Sequence, residues 1–237
     1  MSFYINNTEL DKVFFNGSEV NTVYLNNVLV WDGASWKGWA NATWKDIYRL
    51  CQAKQTGKIS AWPDDVVIGA TKTTKLSTNV LGFTSIEMVL IDIDKDGDGV
   101  LTFQSKTAST TEFAYGSYGS LSNVENNCNL IYEYCDAKTY IKPINKTWLD
   151  FASWSDKTKA SNVWVLSKEE LSGTAAYAYY TAGNSMAKNK PYWTRSYQNK
   201  NNSSHTASLY YVETYNGFST MASTYDGICL SPAFAIG

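Results

Sequence analysis

The chain has 237 residues, enough to bury a sizeable core in one large domain, with or without a small second unit. Its 20 Lys and Arg against 22 Asp and Glu give a formal net charge of −2, which leaves no basic footprint for nucleic acid. With 44% hydrophobic and 15% aromatic residues it is not a disordered chain, and no apolar run is long enough for a membrane span.

The first residues, MSFYINNTELDKVFF, lack the basic start and apolar middle of a signal peptide, so cytoplasmic synthesis is expected. Residues 1–33 read as a separate β-hairpin unit. Lys12-Val-Phe-Phe-Asn-Gly17 is echoed ten residues later by Thr22-Val-Tyr-Leu-Asn-Asn27. Each copy alternates apolar and polar residues into an Asn-Gly or Asn-Asn pair, which tolerates the positive φ of a two-residue hairpin turn. Ser18-Glu-Val20 and Val28-Leu-Val-Trp31 supply the return strands, leaving an exposed edge. No other repeat is visible, and Asp32 to Gly38 reads as a linker.

Residues 39–237 read as one α+β domain of short strands, two or three helices and long loops. Trp44 to Lys54 places apolar residues at 44, 47, 48, 50 and 51 on one helical face, with Thr43 as N-cap and Gly57 as the stop. Val66 to Ile68 and Glu87 to Ile93 read as strands. Asn123 to Tyr140 reads as a helix with Val124, Cys128, Ile131, Tyr132 and Cys135 on one stripe. A short strand follows at Val163 to Leu166, then a capping box with Glu170 three residues after Ser167. Late strands are expected at Leu209 to Glu213 and Ala233 to Ile236.

Candidate chemistry is sparse. Asp92-Ile-Asp-Lys-Asp-Gly-Asp-Gly-Val-Leu-Thr-Phe103 puts Asp94, Asp96 and Asp98 at loop positions 1, 3 and 5 of an EF-hand, with Gly99 at the sharp turn and Val100 offering a carbonyl. Ser105 stands where the bidentate Glu belongs, and Met88 to Ile91 reads as a strand where a helix should precede. Two readings stay open: a weak calcium loop completed by water or a distant carboxylate, and an acidic Gly-rich turn between strands. Cys51, Cys128, Cys135 and Cys229 fit no zinc spacing. Cys128 and Cys135 would lie two helical turns, about 10 Å, apart, beyond disulfide reach, so buried free thiols are expected. His205 is the single histidine and sits in a polar stretch without a nucleophile motif. Adjacent carboxylates such as Glu169 and Glu170 cannot face one another across a glycosidic bond, and helix capping explains them.

The most informative stretch is the last, Tyr192 to Gly237. It is rich in Tyr, Ser, Thr and Asn, and only Arg195, Lys200, Glu213 and Asp226 carry a formal charge. Tyr supplies wide amphipathic contact at little entropic cost, and Ser and Asn supply adaptable hydrogen bonds, the mixture of recognition surfaces. Catalysis needs titratable groups, which are few here. Arg195 is expected to pin this segment through an acidic or carbonyl partner, with Trp193, Phe234 and Ile236 in the core.

Two resemblances extend this reading. The head pattern of short strand, Asn-Gly, Val-x-x-Val-Tyr-Leu-Asn and Val-Leu-Val-Trp resembles a leader of phage tail-tip and baseplate-attached proteins. The series Trp164-Val-Leu-Ser-Lys-Glu-Glu-Leu171, Tyr192-Trp-Thr-Arg-Ser196 and Ser231-Pro-Ala-Phe-Ala-Ile236 resembles a domain family of unknown function from gut bacteria and their phages. That family is similar to the C-type lectin fold of hypervariable ligand-binding proteins. Thr71 to Leu76 and Leu101 to Phe103 also look like family segments. By position the resemblance implies a binding face at Tyr197, Asn199, Asn201, Ser203, His205, Tyr211, Tyr215, Phe218 and Tyr225. The calcium-bridging Glu-Pro-Asn, Gln-Pro-Asp and Trp-Asn-Asp signatures of animal lectins are missing. Together the two resemblances imply a non-enzymatic receptor-binding protein of a phage virion, attached through its head to a tail or baseplate protein and recognising a bacterial surface protein or glycan. A structural module of a virion or cell surface, with the Tyr-rich end on a partner subunit, is the alternative; a glycan hydrolase is a third.

Overall fold

The computed structural model describes residues 36–117 and 122–237 throughout, together with the backbone of six short strands between residues 3 and 31. Those strands pair as three antiparallel hairpins: β1 (Phe3–Ile5) with β2 (Thr8–Leu10), β3 (Val13–Phe15) with β4 (Ser18–Val20), and β5 (Val23–Leu25) with β6 (Val28–Trp31). The innermost pairs Ile5 and Thr8, Phe15 and Ser18, Leu25 and Val28 recur at the same ten-residue spacing. The expected pair of repeats is therefore a triplet. The turn residues Asn16, Gly17, Asn26 and Asn27, and Asp32 to Ser35 of the expected linker, lie outside the described residues.

The domain begins with α1 (Trp44–Gln55). Thr43 Oγ1 accepts the Asp46 N–H at 3.3 Å and Asp46 Oδ2 accepts the Thr43 N–H at 2.9 Å, closing a capping box. Gly57, at φ +69°, stops the helix in a conformation that costs glycine little. In chain order there follow β7 (Thr71–Val80), β8 (Phe83–Ile93), β9 (Leu101–Ser105), α2 (Asn123–Tyr134), a single 3-10 turn at Lys138–Tyr140, β10 (Ile141–Lys142), β11 (Ile144–Asp150), β12 (Ser155–Ser161), β13 (Val163–Trp164), the short helices α3 (Lys168–Ser172) and α4 (Ala178–Thr181), β14 (Tyr192–Asn201), β15 (Thr206–Val212), β16 (Phe218–Ala222) and β17 (Ala233–Ile236).

The main sheet has the order β10-β17-β9-β8-β7, with β13 also pairing β17, and every pairing is antiparallel. The last strand thus lies in the middle of the sheet, and all four of its residues are fully buried. Ser231 locks the approach to it: its Oγ takes the Gln104 amide at 2.8 Å and meets Ser105 Oγ at 2.9 Å. Phe234 and Phe103 face each other across β17 and β9, and Trp44 packs edge-on against both rings at 5.2 and 5.4 Å. These contacts bind α1 to the sheet through large apolar burial, at about 25 cal/mol per Å2 removed from water. Two further sheets stand apart, the hairpin β11–β12 and the three-stranded β14-β15-β16. The architecture is α+β, as expected.

Two expected elements change, and one hairpin is new. Val66 to Ile68 is not a strand: the Val66 N–H bonds the Pro63 carbonyl at 2.9 Å in a turn, while Asp65 accepts the Trp39 N–H at 2.6 Å and Trp36 Nε1 at 2.8 Å. The helix expected to Tyr140 ends at Tyr134, because Cys135 turns extended to bridge Leu76 of β7 and Asp136 accepts Thr74 Oγ1 at 2.6 Å. Tertiary bonds override helical periodicity there. The hairpin β11–β12 gives almost no signal in sequence, since Ser155 to Ala160 is polar and exposed on both faces.

Candidate functional site

Strands β14 to β16 carry most of the segment singled out by composition. Along β15, Ala207, Leu209 and Tyr211 are buried while Ser208 and Tyr210 are half-buried, the alternation of a sheet with one face on the core. Cross-strand partners share a face, so Asn199 beside Ser208, Asn201 beside Thr206, and Thr220 beside Tyr210 belong to the outward one. Phe218 joins them, with its ring 6.4 Å from that of Tyr210. Lys168, at the start of α3, reaches over this face: its Nζ lies 4.2 Å from the Tyr210 ring centre and 5.6 Å from that of Phe218. Tyr215, 72% exposed, stands on the β15–β16 turn, and Tyr225, 47% exposed, follows β16.

The nine expected face residues therefore divide. Asn199, Asn201 and Phe218 are on the outward face; Tyr215 stands in the turn before β16 with its hydroxyl 3.3 Å from Ser219 Oγ, on the Tyr211 side, and Tyr225 lies in the segment after β16. Ser203 and His205 occupy the β14–β15 turn, where Asn201 Oδ1 accepts the Ser203 and Ser204 N–H groups at 2.9 and 3.0 Å. His205 holds φ +49° with its ring 5.7 Å from Trp154. Tyr211 is a correction: it is 8% exposed, packs edge-on to Trp193 at 6.2 Å and donates to Glu213 at 2.7 Å. Tyr210 is the outward tyrosine instead. Tyr197 also leaves the face, because it lies opposite Leu209 and donates to both oxygens of Asp156 at 2.9 and 3.1 Å. Burial first, and then that bond, raise its phenol pKa.

Beneath Tyr197 lies a cleft of about 390 Å3 between the β11–β12 hairpin, the start of α3 and β14. Its floor is a buried ion cluster. Lys146, 5% exposed, donates to Asp96 at 3.0 Å, Glu170 at 3.0 Å and the Tyr177 hydroxyl at 2.9 Å, and sits 4.5 Å over the Trp164 ring. Glu170 also receives Arg195 and, at 2.9 Å, the Ser167 N–H that it caps. Burial alone would raise the Glu170 carboxyl; the hydrogen bond and charge of Arg195, with Lys146 behind, hold it down at about 2. A carboxyl pinned there keeps its charge and has no proton to give as a general acid. Arg195 also donates to the Val165 carbonyl at 2.9 Å, which ties β14 to the segment after β13, the pinning role expected of it. Sequence reasoning reaches Arg195 and Glu170 separately, but nothing in the spacing joins them to Lys146 and Asp96.

The acidic loop is a turn with structural partners. Asp94, at φ +67°, accepts the Gly99 N–H at 2.8 Å and Trp62 Nε1 at 2.9 Å. Asp96 points the other way into the ion cluster, taking Lys146, Thr102 Oγ1 at 2.7 Å and the Tyr177 hydroxyl at 2.9 Å. Asp98 is exposed. Two of the three carboxylates, Asp94 and Asp96, are thus bonded to different neighbours, and among the described residues no group of three His, Cys, Asp or Glu converges as a metal site. The four cysteines are free and buried, and burial pushes the Cys51 thiol up to about 12, as it does the others in direction.

Comparison of the chain with protein-family models, curated proteins and solved structures finds no match. Among the described residues no helix is long and apolar enough to cross a membrane.

Proposed function

We propose that this chain is a non-enzymatic recognition protein: a C-type-lectin-like domain, carried by a phage tail tip or fibre through its head hairpins, that binds a bacterial surface protein or glycan. One observation carries the reading. The outward face of β14 to β16 presents Asn199, Ser208, Tyr210, Phe218 and Thr220 on an antiparallel scaffold, with the exposed Tyr215 and Tyr225 in the segments at either end of β16. Aromatic rings supply desolvating contact there and amide and hydroxyl groups supply hydrogen bonds, the division of labour in paratopes. The ten-residue hairpin triplet supports an attachment role, because repeated short strands offer backbone edges to a partner. Weak single-copy affinity would be multiplied by several copies on one particle.

The test is adsorption of the fluorescently labelled chain to a panel of gut bacterial isolates. Binding to some isolates, lost when Tyr210, Tyr215 and Tyr225 are together changed to Ala, is the expected result. A variant that binds as wild type, or that binds cells but fails to assemble on a tail, overturns the reading in favour of a structural module.

A further inference from the structure

The cleft below Tyr197 opens on the opposite side of β14 from the recognition face and has a different chemistry. Its volume of about 390 Å3 lies within the range of small-molecule sites. Trp148 and Leu149 are its apolar members, and at 2% and 1% exposure they offer no open wall to a lipid or an apolar peptide side chain. Its buried cations face protein anions: all three Lys146 donors are used, and Arg195 Nη1 bonds Glu170 and the Val165 carbonyl. Asp156 and Glu169, both exposed on the cleft, repel a further anionic ligand.

What the cleft leaves open are neutral donors and oriented acceptors. Asp156 is held by the Tyr197 hydroxyl and Glu169 by the Ser196 hydroxyl at 2.9 Å, and both carboxylates are exposed with lone pairs to spare. The Asn145 side-chain amide, also exposed on the cleft, makes no hydrogen bond among the described residues. Lys200, 3.6 Å from Asp156, offsets the acidic charge at the rim and disfavours an ammonium ligand. Polar concave walls, two steered carboxylates and an open amide match a molecule that presents many hydroxyls and no charge. We infer that this cleft binds a neutral saccharide unit, with Asp156 and Glu169 accepting from its hydroxyls and Asn145 donating to them. The site goes beyond the recognition face and shares no residue with its outward surface, so the two stand or fall separately.

Saturation-transfer NMR on the intact chain tests it, with four neutral probes, the methyl pyranosides of glucose, galactose, mannose and N-acetylglucosamine, and two charged ones, glucuronate and glucosamine. The expected result is transfer to at least one neutral glycoside, weakened about tenfold or more in Asp156→Asn combined with Glu169→Gln. Both positions are exposed, so this variant should melt within a few degrees of wild type, and the Tyr210, Tyr215 and Tyr225 variant should bind the glycoside unchanged. No transfer to any neutral probe overturns the proposal. So does preference for glucosamine, which would mark an ammonium site, or for glucuronate, which would mark an anion site. Glycoside binding that survives in the cleft variant but is lost in the tyrosine variant places the sugar on the outward face, which refutes the cleft and leaves the recognition reading intact.

Discussion

Glu170→Gln is the most incisive perturbation of the scaffold. The amide keeps the shape of the side chain but removes the charge that faces Lys146 at 3.0 Å and Arg195 on its other oxygen. Lys146 and Arg195 are then left with Asp96 as the one remaining anion of the cluster, one uncompensated positive charge in a site where all four residues are 10% exposed or less. Removing one partner from a buried ion pair costs about 3–5 kcal/mol. For a chain of this size that lowers Tm by about 6–20 °C. Urea unfolding followed by tryptophan fluorescence reads the loss, since Trp164 and Trp193 are fully buried. The pH dependence gives a second reading with a definite sign. The folded carboxyl titrates at about 2 against 4.5 for an unperturbed one, so its contribution is complete above 4.5 and disappears as the pH falls through 2. The shift corresponds to roughly 3 kcal/mol as an upper figure. The stability gap between wild type and Glu170→Gln should therefore narrow from pH 6 down to pH 2. A variant within about 1 kcal/mol of wild type at pH 7, or a gap independent of pH, refutes the buried-cluster argument.

Other predictions concern separate parts of the molecule. Lys188 donates to the Ser105 carbonyl at 2.6 Å and has no carboxylate partner among the described residues; burial pushes its amine down to about 7. A folded pKa below the unfolded 10.5 means that stability rises with pH between 7 and 10.5, and Lys188→Met should flatten that rise in thermal melts. Calcium or EDTA should leave Tm unchanged to within a degree; a calcium-dependent rise would favour the metal reading of the acidic loop over the turn. Asp94→Ala removes acceptors for the Gly99 N–H and Trp62 and should cost about 1–3 kcal/mol in the same urea assay, with or without calcium. Tyr211→Ala should lower stability by about 3–5 kcal/mol as a core truncation, whereas Tyr210→Ala should cost about 1 kcal/mol or less.

Local signals were readable where they are short-range. The N-cap at Thr43, the capping box at Ser167, the Gly57 stop and the apolar strand Ala233 to Ile236 follow from spacing alone. The α+β class follows from their mixture. The central position of β17 between β9 and β10 is a long-range fact with no local signature. Parity hid the face of β15: Tyr210 and Tyr211 are adjacent, and one residue of register decides which faces water. The bulge in β14 between Tyr197 and Asn199 breaks the alternation, so that Tyr197 lies opposite Leu209 on the inner side while Asn199, two residues on, lies beside Ser208 on the outward one. The Lys146, Asp96, Glu170 and Arg195 cluster draws on four separate segments, so sequence shows its parts and not their meeting. The acidic loop reads two ways because turns and calcium loops want the same residues, Asp and Gly at fixed spacing.

Hydroxyl-radical footprinting of the chain, free and bound to envelope fragments of an isolate that it adsorbs, tests the central claim most directly. Recognition through the outward face predicts protection at Tyr210, Tyr215, Phe218 and Tyr225, with Tyr211 unreactive in both states. Protection elsewhere, for example along the exposed β12 strand, with these four side chains as reactive as in the free chain, would contradict it.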